Sequence, residues 1–235
     1  MHVTADLHIH SCLSPCGSLE MSPKRIAAEA AARHIDMLAI TDHNSCRNAP
    51  AFKECCNRQG IVPLFGMEVT SVEEAHVVCI FEDTPGALDF GEYIESHLPE
   101  PRGSSSMGGD QVYVDAEENI LGQVNKLLIA ATDISIDQLV TMVHERDGII
   151  FPAHIDRPAF SIVMQLGFLP ELPYDAIECV NPNCGIDTLG LPIITNSDAH
   201  YPEDIASRPS EYQMDTLSFK GLRAALSRQH EPESG

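Results

Sequence analysis

The strongest constraint in this chain is a rhythm. Short apolar runs alternate with helical stretches, and almost every run ends in a histidine or a carboxylate. Val3 to His10, Asp36 to Thr41, Ile61 to Thr70, His76 to Phe81, Gly148 to Ala153, Tyr174 to Val180 and Leu191 to Asn196 read as seven strands. Between them, Ser22-Pro23 opens a helix through KRIAAEAAARH, with a capping hydroxyl and proline at the first helical position. Further helices are read near Ala49 to Arg58, from Ser135 to Arg146 and from about Phe219 to Arg228. Strands alternating with helices predict the α/β class, as a closed or nearly closed parallel barrel of seven strands. In such barrels the chemistry gathers at the carboxyl ends of the strands.

The polar residues obey that rule. The first strand ends in His8 and His10, whose side chains face the same way in an extended chain. Asp42 and His43 follow the second, Glu68 lies late in the third, His154 follows the fifth, and Asp198 and His200 follow the last. His76 is the exception, because it opens its strand. Six of the chain's 11 histidines belong to this set. Imidazole combined with carboxylate suits Zn, Mn or Fe. One zinc ion uses about four ligands, so six histidines with Glu68 and Asp198 imply two or three ions. Glu68 is the natural bridge between two of them. Paired ions of this kind favour hydrolysis of a phosphate ester.

These motifs have a family counterpart. DLHIHS at 6–11, ITDHN at 40–44, GMEVT at 66–70, HVV at 76–78, PAH at 152–154 and NSDAH at 196–200 resemble, in order, the motifs of the PHP (polymerase and histidinol phosphatase) family. The resemblance implies a distorted (β/α)7 barrel, a trinuclear metal centre and phosphoesterase activity. Carried over by position, it assigns His8, His10, Glu68 and Asp198 to a first ion. Glu68, His76 and His154 fall to a second, and His43 and His200 to a third. Many relatives place a further ligand, acidic or histidine, after the first motif. Here the chain reads Ser14-Pro15-Cys16-Gly17-Ser18-Leu19-Glu20, and Glu20 is expected to substitute, with Cys16 as the other candidate.

Around the ligands, Asp42 is expected to handle a proton in catalysis or to hold a histidine. Asp6 is expected behind the ligands rather than among them. Arg157 and Arg208 are the candidate clamps for a phosphate, since guanidinium forks match phosphate oxygens; Asn181 and Asn196 are weaker candidates.

Charge narrows the function. With 35 acidic against 14 basic residues the formal net charge is -21. No basic stripe exists to displace counterions from a nucleic-acid backbone, and an anionic membrane surface is disfavoured. Bound cations would invert the field locally, so a small phosphorylated substrate is still admitted. The eight cysteines contain no C-x-x-C pair. They read as mostly reduced and structural, with Cys79 in the core. The start of the chain has neither a basic region nor an apolar run, and no segment approaches a membrane span, which predicts a cytoplasmic protein.

The chain is expected to be a single domain over 1–235, with an insertion at about 83–133 that contains the GSSSMGG run at 103–109. The insertion reads as a substrate-selecting lid or as a surface loop. The leading functional expectation is metal-dependent hydrolysis of a small phosphate mono- or diester by attack of a metal-bound hydroxide. The alternatives are exonucleolytic trimming of a nucleic acid, as in polymerase-associated relatives, and a non-catalytic metal-binding module.

Overall fold

The computed structural model describes residues 1–100 and 109–230, so most of the GSSSMGG run, and the last residues, expected to be frayed, lie outside the described residues. In chain order the elements are β1 (His2–Asp6), α1 (Pro23–Ala32), β2 (Met37–His43), α2 (Ala49–Gln59), β3 (Val62–Thr70), β4 (His76–Phe81), α3 (Thr84–Ser96), β5 (Val112–Val114) and β6 (Ile120–Gln123). They continue with α4 (Ile136–His144), β7 (Ile149–Pro152), α5 (Ile162–Leu166), β8 (Ile177–Glu178), β9 (Ile193–Ile194), a 3-10 turn at Pro202–Asp204, β10 (Ser210–Gln213) and α6 (Phe219–His230).

Helix starts follow their capping chemistry. The Ser22 hydroxyl accepts from the Arg25 amide with Pro23 in the first turn, and Ser135 with Gln138 forms a reciprocal capping box at the head of α4. Ile26, Ala27 and Ala30 give α1 its buried stripe; Leu139, Val140 and Val143 do the same for α4.

Six strands form one sheet in the order β10-β1-β2-β3-β4-β7. β1, β2 and β3 are parallel, whereas β4 runs antiparallel to both β3 and β7. The β3–β4 turn is short, closed by the Ser71 amide on the Ala75 carbonyl at 2.9 Å. Gly66 is needed in this hairpin, because a Cβ there would sit 2.2 Å from the carbonyl oxygen of Cys79.

The expected continuous ring is corrected by this topology. β8 and β9 pair only with each other. Single backbone hydrogen bonds stitch them to their neighbours: the Ile155 amide to Glu178, the Asp175 amide to Ile150 and the Asp198 amide to His8, each at 2.9 Å. No helix intervenes between β3 and β4 or between β8 and β9. The molecule keeps the α/β class as a curled sheet with a separate two-strand flank. β10, a polar edge strand antiparallel to β1, was not anticipated.

Side chains alternate strictly along the central strands. Leu38 and Ile40 of β2, Phe65 and Met67 of β3 and Val77 and Cys79 of β4 face the helices. Met37, Ala39, Leu64, Val78 and Ile80 face the opposite way, into a second cluster covered by α6 through Phe219, Leu222 and Leu226. α3 joins the helix-side core through Ala87, Phe90 and Ile94. A small third cluster of Leu13, Leu98, Val124 and Leu128 supports the segment that follows β6. Among the described residues no helix is long and apolar enough to cross a membrane.

Candidate metal centre

The alternation continues to the strand ends and determines which polar side chains enter the site. His43 shares the face of Met37 and Ala39, and Glu68 shares that of Leu64. His76 opens β4, but β4 is antiparallel, so its first residue lies at the same end of the sheet as the last residues of β2 and β3. In the register His76 pairs with Thr70, and Glu68 with His43. The one apparent exception in the sequence is thereby explained by strand direction.

Six histidines and two carboxylates converge. His8 Nε2 and His10 Nε2 are 3.3 Å apart, and each approaches Asp198 Oδ1, at 3.4 and 3.1 Å. Both also approach Glu68, at 3.4 Å each. Tetrahedral ligands around one ion, with bonds of about 2.1 Å, stand ~3.4 Å from one another. The observed separations fit that shell. His76 Nδ1 and His154 Nε2 gather on Glu68 Oε1 at 2.9 and 3.1 Å, while His43 Nδ1 lies 3.1 Å from Glu68 Oε2. The Nδ1 atoms of His43 and His76 are buried, yet their approach to Glu68 has no hydrogen-bond geometry, and Asp198 Oδ1 is likewise without a hydrogen bond. Buried polar atoms converging in this way fit a cation site better than a closed hydrogen-bond network.

A further group brings ligand atoms of His10, Cys16, His43 and His200 within 4.8 Å of one another. Cys16 is therefore the residue of the 12–20 loop that reaches the site. Glu20 is corrected: both residues are exposed, but only Cys16 brings a ligand atom to the histidines, whereas the Glu20 amide bonds the Ser18 hydroxyl and its carboxylate joins none of these groups. All eight cysteines are free thiols.

The supporting residues fix which ring nitrogen faces inward. His8 Nδ1 lies 2.8 Å from Glu178 Oε2, directing Nε2 into the site. Glu178 is buried and was missed in the sequence. The signal was an acid inside the apolar run AIECV, where an ionised group needs a partner. Of the two roles expected of Asp42, proton handling is corrected and the support of a histidine is kept. Asp42 shares the helix-side parity of Leu38 and Ile40, is 1% exposed, and accepts from the Ser11 amide and hydroxyl at 2.6 Å each and from the Ser14 hydroxyl at 2.7 Å. It does not line the cavity. Ser14 Oγ in turn stands 3.0 Å from His10 Nδ1, so the hydrogen-bonded link from Asp42 to His10 runs through that hydroxyl. Asp6 likewise accepts from the Ser197 and Ala206 amides, both at 3.0 Å, and braces the Asp198 segment.

Arg157 lines the cavity and pairs with Asp198. Arg208 does not reach it: its guanidinium donates to the carbonyls of Asn196 and Ser197 at 3.2 and 2.8 Å. Asn196 Oδ1 accepts from the Leu7 amide, and Asn181 is exposed, its amide on Asp156. His154 and Asp198 both hold left-handed backbone, at φ 31° and 51°, a conformation that costs energy in non-glycine residues and clusters at functional sites.

Charge is tightly coupled here. Burial opposes ionisation of Glu68, but the surrounding His76, His8 and His43 hold its carboxyl well below the usual range. Asp198 is also held low, burial being overcome by His8 and His10. Burial would lower His10, yet the Asp198 and Glu68 carboxylates raise it to about 9. His200 is lowered to about 4 by burial and by the charge on His10.

A curled α/β sheet with histidine and carboxylate clusters that could bind metal at one end defines the class of protein. The chain belongs to the PHP domain family, whose model matches residues 6–177. An uncharacterized protein, MJ1587, of Methanocaldococcus jannaschii is 33% identical over 102 residues, 39% of this chain and 58% of that protein. Among solved structures, the lesion-specific endonuclease PfuEndoQ of Pyrococcus furiosus superposes with a TM-score of 0.71 at 19% identity, over 97% of this chain and 56% of that one. A proposed metal-dependent phosphoesterase of Bifidobacterium adolescentis gives 0.58 at 16% identity, over 95% and 96% of the two chains. An amidohydrolase of Chromobacterium violaceum gives 0.57 at 18%, over 96% of both. The chain thus spans just over half the length of MJ1587 and of the endonuclease, and the structural likenesses establish the fold.

Proposed function

We propose that this chain is a metal-dependent hydrolase of small phosphate esters. The observation that carries the reading is the donor set itself: buried imidazole and carboxylate atoms at ligand spacing on the floor of a cavity of about 400 Å³ with Arg157 on its wall. His8, His10, Asp198 and Glu68 would hold one ion, Glu68, His76 and His154 a second, and His43, His200 and Cys16 a third. Divalent ions bound there supply positive charge for the phosphoryl oxygens and acidify the attacking water.

The chain's own groups do the rest. Glu178 and Ser14 keep His8 and His10 in the tautomers that face inward, so the donor set is preorganised before substrate arrives. The Arg157 guanidinium orients the phosphoryl group. Hydrolysis forms one phosphorus–oxygen bond to water and breaks the one to the alcohol, which leaves with a proton. The test is phosphate release from model esters with Mn, Zn or Fe, compared with chelator-treated protein. His8→Ala and Asp198→Ala should each abolish it, and undiminished turnover by a metal-loaded variant would sink the reading.

A nuclease is the second reading, favoured by the TM-score of 0.71 to the endonuclease. Against it stands the charge of -21, which offers no track for a phosphate backbone. Cleavage of a labelled single strand without action on small esters would decide for it.

A further inference from the structure

The cavity is lined on the side of Phe160 and Ile129 by apolar groups, and both residues are tied to the elements that carry its histidines. Phe160 stacks on His76, with ring centroids 4.8 Å apart and planes 9° from parallel. Its carbonyl accepts from the His76 amide at 2.8 Å, and its backbone is left-handed, at φ 57°. The residue is nevertheless 48% exposed and lines the cavity with Pro158 and Ala159. The loop is fixed at its ends, where the Arg157 amide bonds His154 and the Ser161 hydroxyl bonds the Arg157 carbonyl at 2.8 Å.

Ile129 lies on the same cavity and is 40% exposed. The carbonyls on either side of it, from Leu128 and Ala130, accept from the Asn44 amide group at 2.5 and 3.0 Å. Asn44 follows the ligand His43 and is itself left-handed, at φ 49°. The Leu128 amide is anchored again, on Gln111 Oε1 at 2.8 Å. Two half-exposed apolar side chains are thus held at the mouth by bonds from residues at or next to ligands, at the cost of strained backbone. A core does not need this arrangement, whereas a ligand subsite does.

We infer that Phe160 and Ile129 form a subsite for the flat apolar group of the substrate, so that the ester is an aryl or nucleoside phosphate rather than a compact aliphatic one. This rests on the phosphoesterase reading above and names its substrate class. A cavity of this size accepts one such group beside a phosphoryl group, and an aromatic ring can stack on Phe160 whatever its ring substituents.

The experiment uses metal-loaded full chain and two phosphonates that cannot be hydrolysed, phenylphosphonate and methylphosphonate, titrated calorimetrically. Phe160→Ala should weaken phenylphosphonate by roughly tenfold and leave methylphosphonate unchanged, with unaltered metal content; Ile129→Ser should act in the same direction. Equal weakening of both ligands would show that Phe160 merely supports His76 and would overturn the subsite, as would no change in either. Tighter binding of a single-stranded oligonucleotide than of phenylphosphonate would overturn the commitment to a small ester. A wild-type protein that binds phenylphosphonate selectively yet turns over no ester would leave the subsite standing and refute the activity.

Discussion

Glu178 Oε2 lies 2.8 Å from His8 Nδ1, and both residues are buried, at 2% and 0% exposure. The contact leaves His8 one inward-facing nitrogen and strengthens it as a ligand. Glu178→Ala should lower affinity for the first ion by roughly 10- to 100-fold. Competition against a chelating dye would measure it. An unaltered affinity would remove Glu178 from the metal site altogether.

The convergence of these histidines and carboxylates was legible in the sequence because they sit beside the ends of apolar runs, where a barrel-like sheet must place its chemistry. His8, His10, Glu68, His154 and Asp198 needed only strand positions for that. What was not legible depended on direction and parity. His76 looked displaced until β4 proved antiparallel. Asp42 looked catalytic by adjacency to His43, yet one residue of offset in β2 turns it to the helix side, where two serines occupy its oxygens. Glu178 lies in a two-residue strand without a histidine neighbour, so no motif pointed to it. Nothing in the sequence decided between Glu20 and Cys16. The tight turns of the 12–17 loop, including the Gly17 amide on Ser14, decide which residue turns inward.

Cys16 in the third position predicts a sulfur ligand. Cobalt(II)-substituted protein should show a near-ultraviolet thiolate-to-metal absorption band that Cys16→Ser removes, together with about one equivalent of tightly held metal. Glu20→Ala should change neither. Cys16 is exposed as a residue, but desolvation of its thiol and the neighbouring Glu68 carboxylate raise it to about 12, so cation binding must displace its proton. A band that survives in Cys16→Ser would show that sulfur is not a ligand.

Acidity gives a further test, because the carboxylates of the site raise two of its imidazoles, His8 and His10. His10 titrates at about 9 in the folded protein against an ordinary 6.5, and His8 is also raised, burial being overcome by Glu178, Asp198 and Glu68. A raised folded value means stability fully present below the unfolded value and lost as pH rises through the folded one. The melting temperature of chelator-treated protein should therefore fall between about pH 6.5 and 9. His200, lowered to about 4, works in the opposite sense and only below 6.5. Metal competes with these protons, so affinity for zinc should rise with pH over the same interval, with proton release visible by calorimetry in buffers of different ionisation heat. Chelated protein that gains stability from pH 7 to 9 would contradict this charge pattern.

The two arginines separate substrate binding from structure. Arg157 sits on the cavity wall and pairs with Asp198, whose carboxylate is also within reach of His8 and His10. A cation held by His8, His10 and Asp198 would draw on the same carboxylate and leave guanidinium donors for an ester. Arg157→Ala should lower kcat/KM by roughly 10- to 100-fold, since a charge-assisted contact is worth about 1.5–3 kcal/mol, while a lysine restores charge but not the two-pronged geometry. Arg208 instead ties down the carbonyls of Asn196 and Ser197, just before Asp198. Arg208→Ala should cost about 1–3 kcal/mol of stability and leave KM unchanged at temperatures where the variant stays folded. Urea unfolding beside steady-state kinetics distinguishes the two: an effect of Arg208→Ala on KM alone would place that guanidinium on the substrate and reverse the assignment.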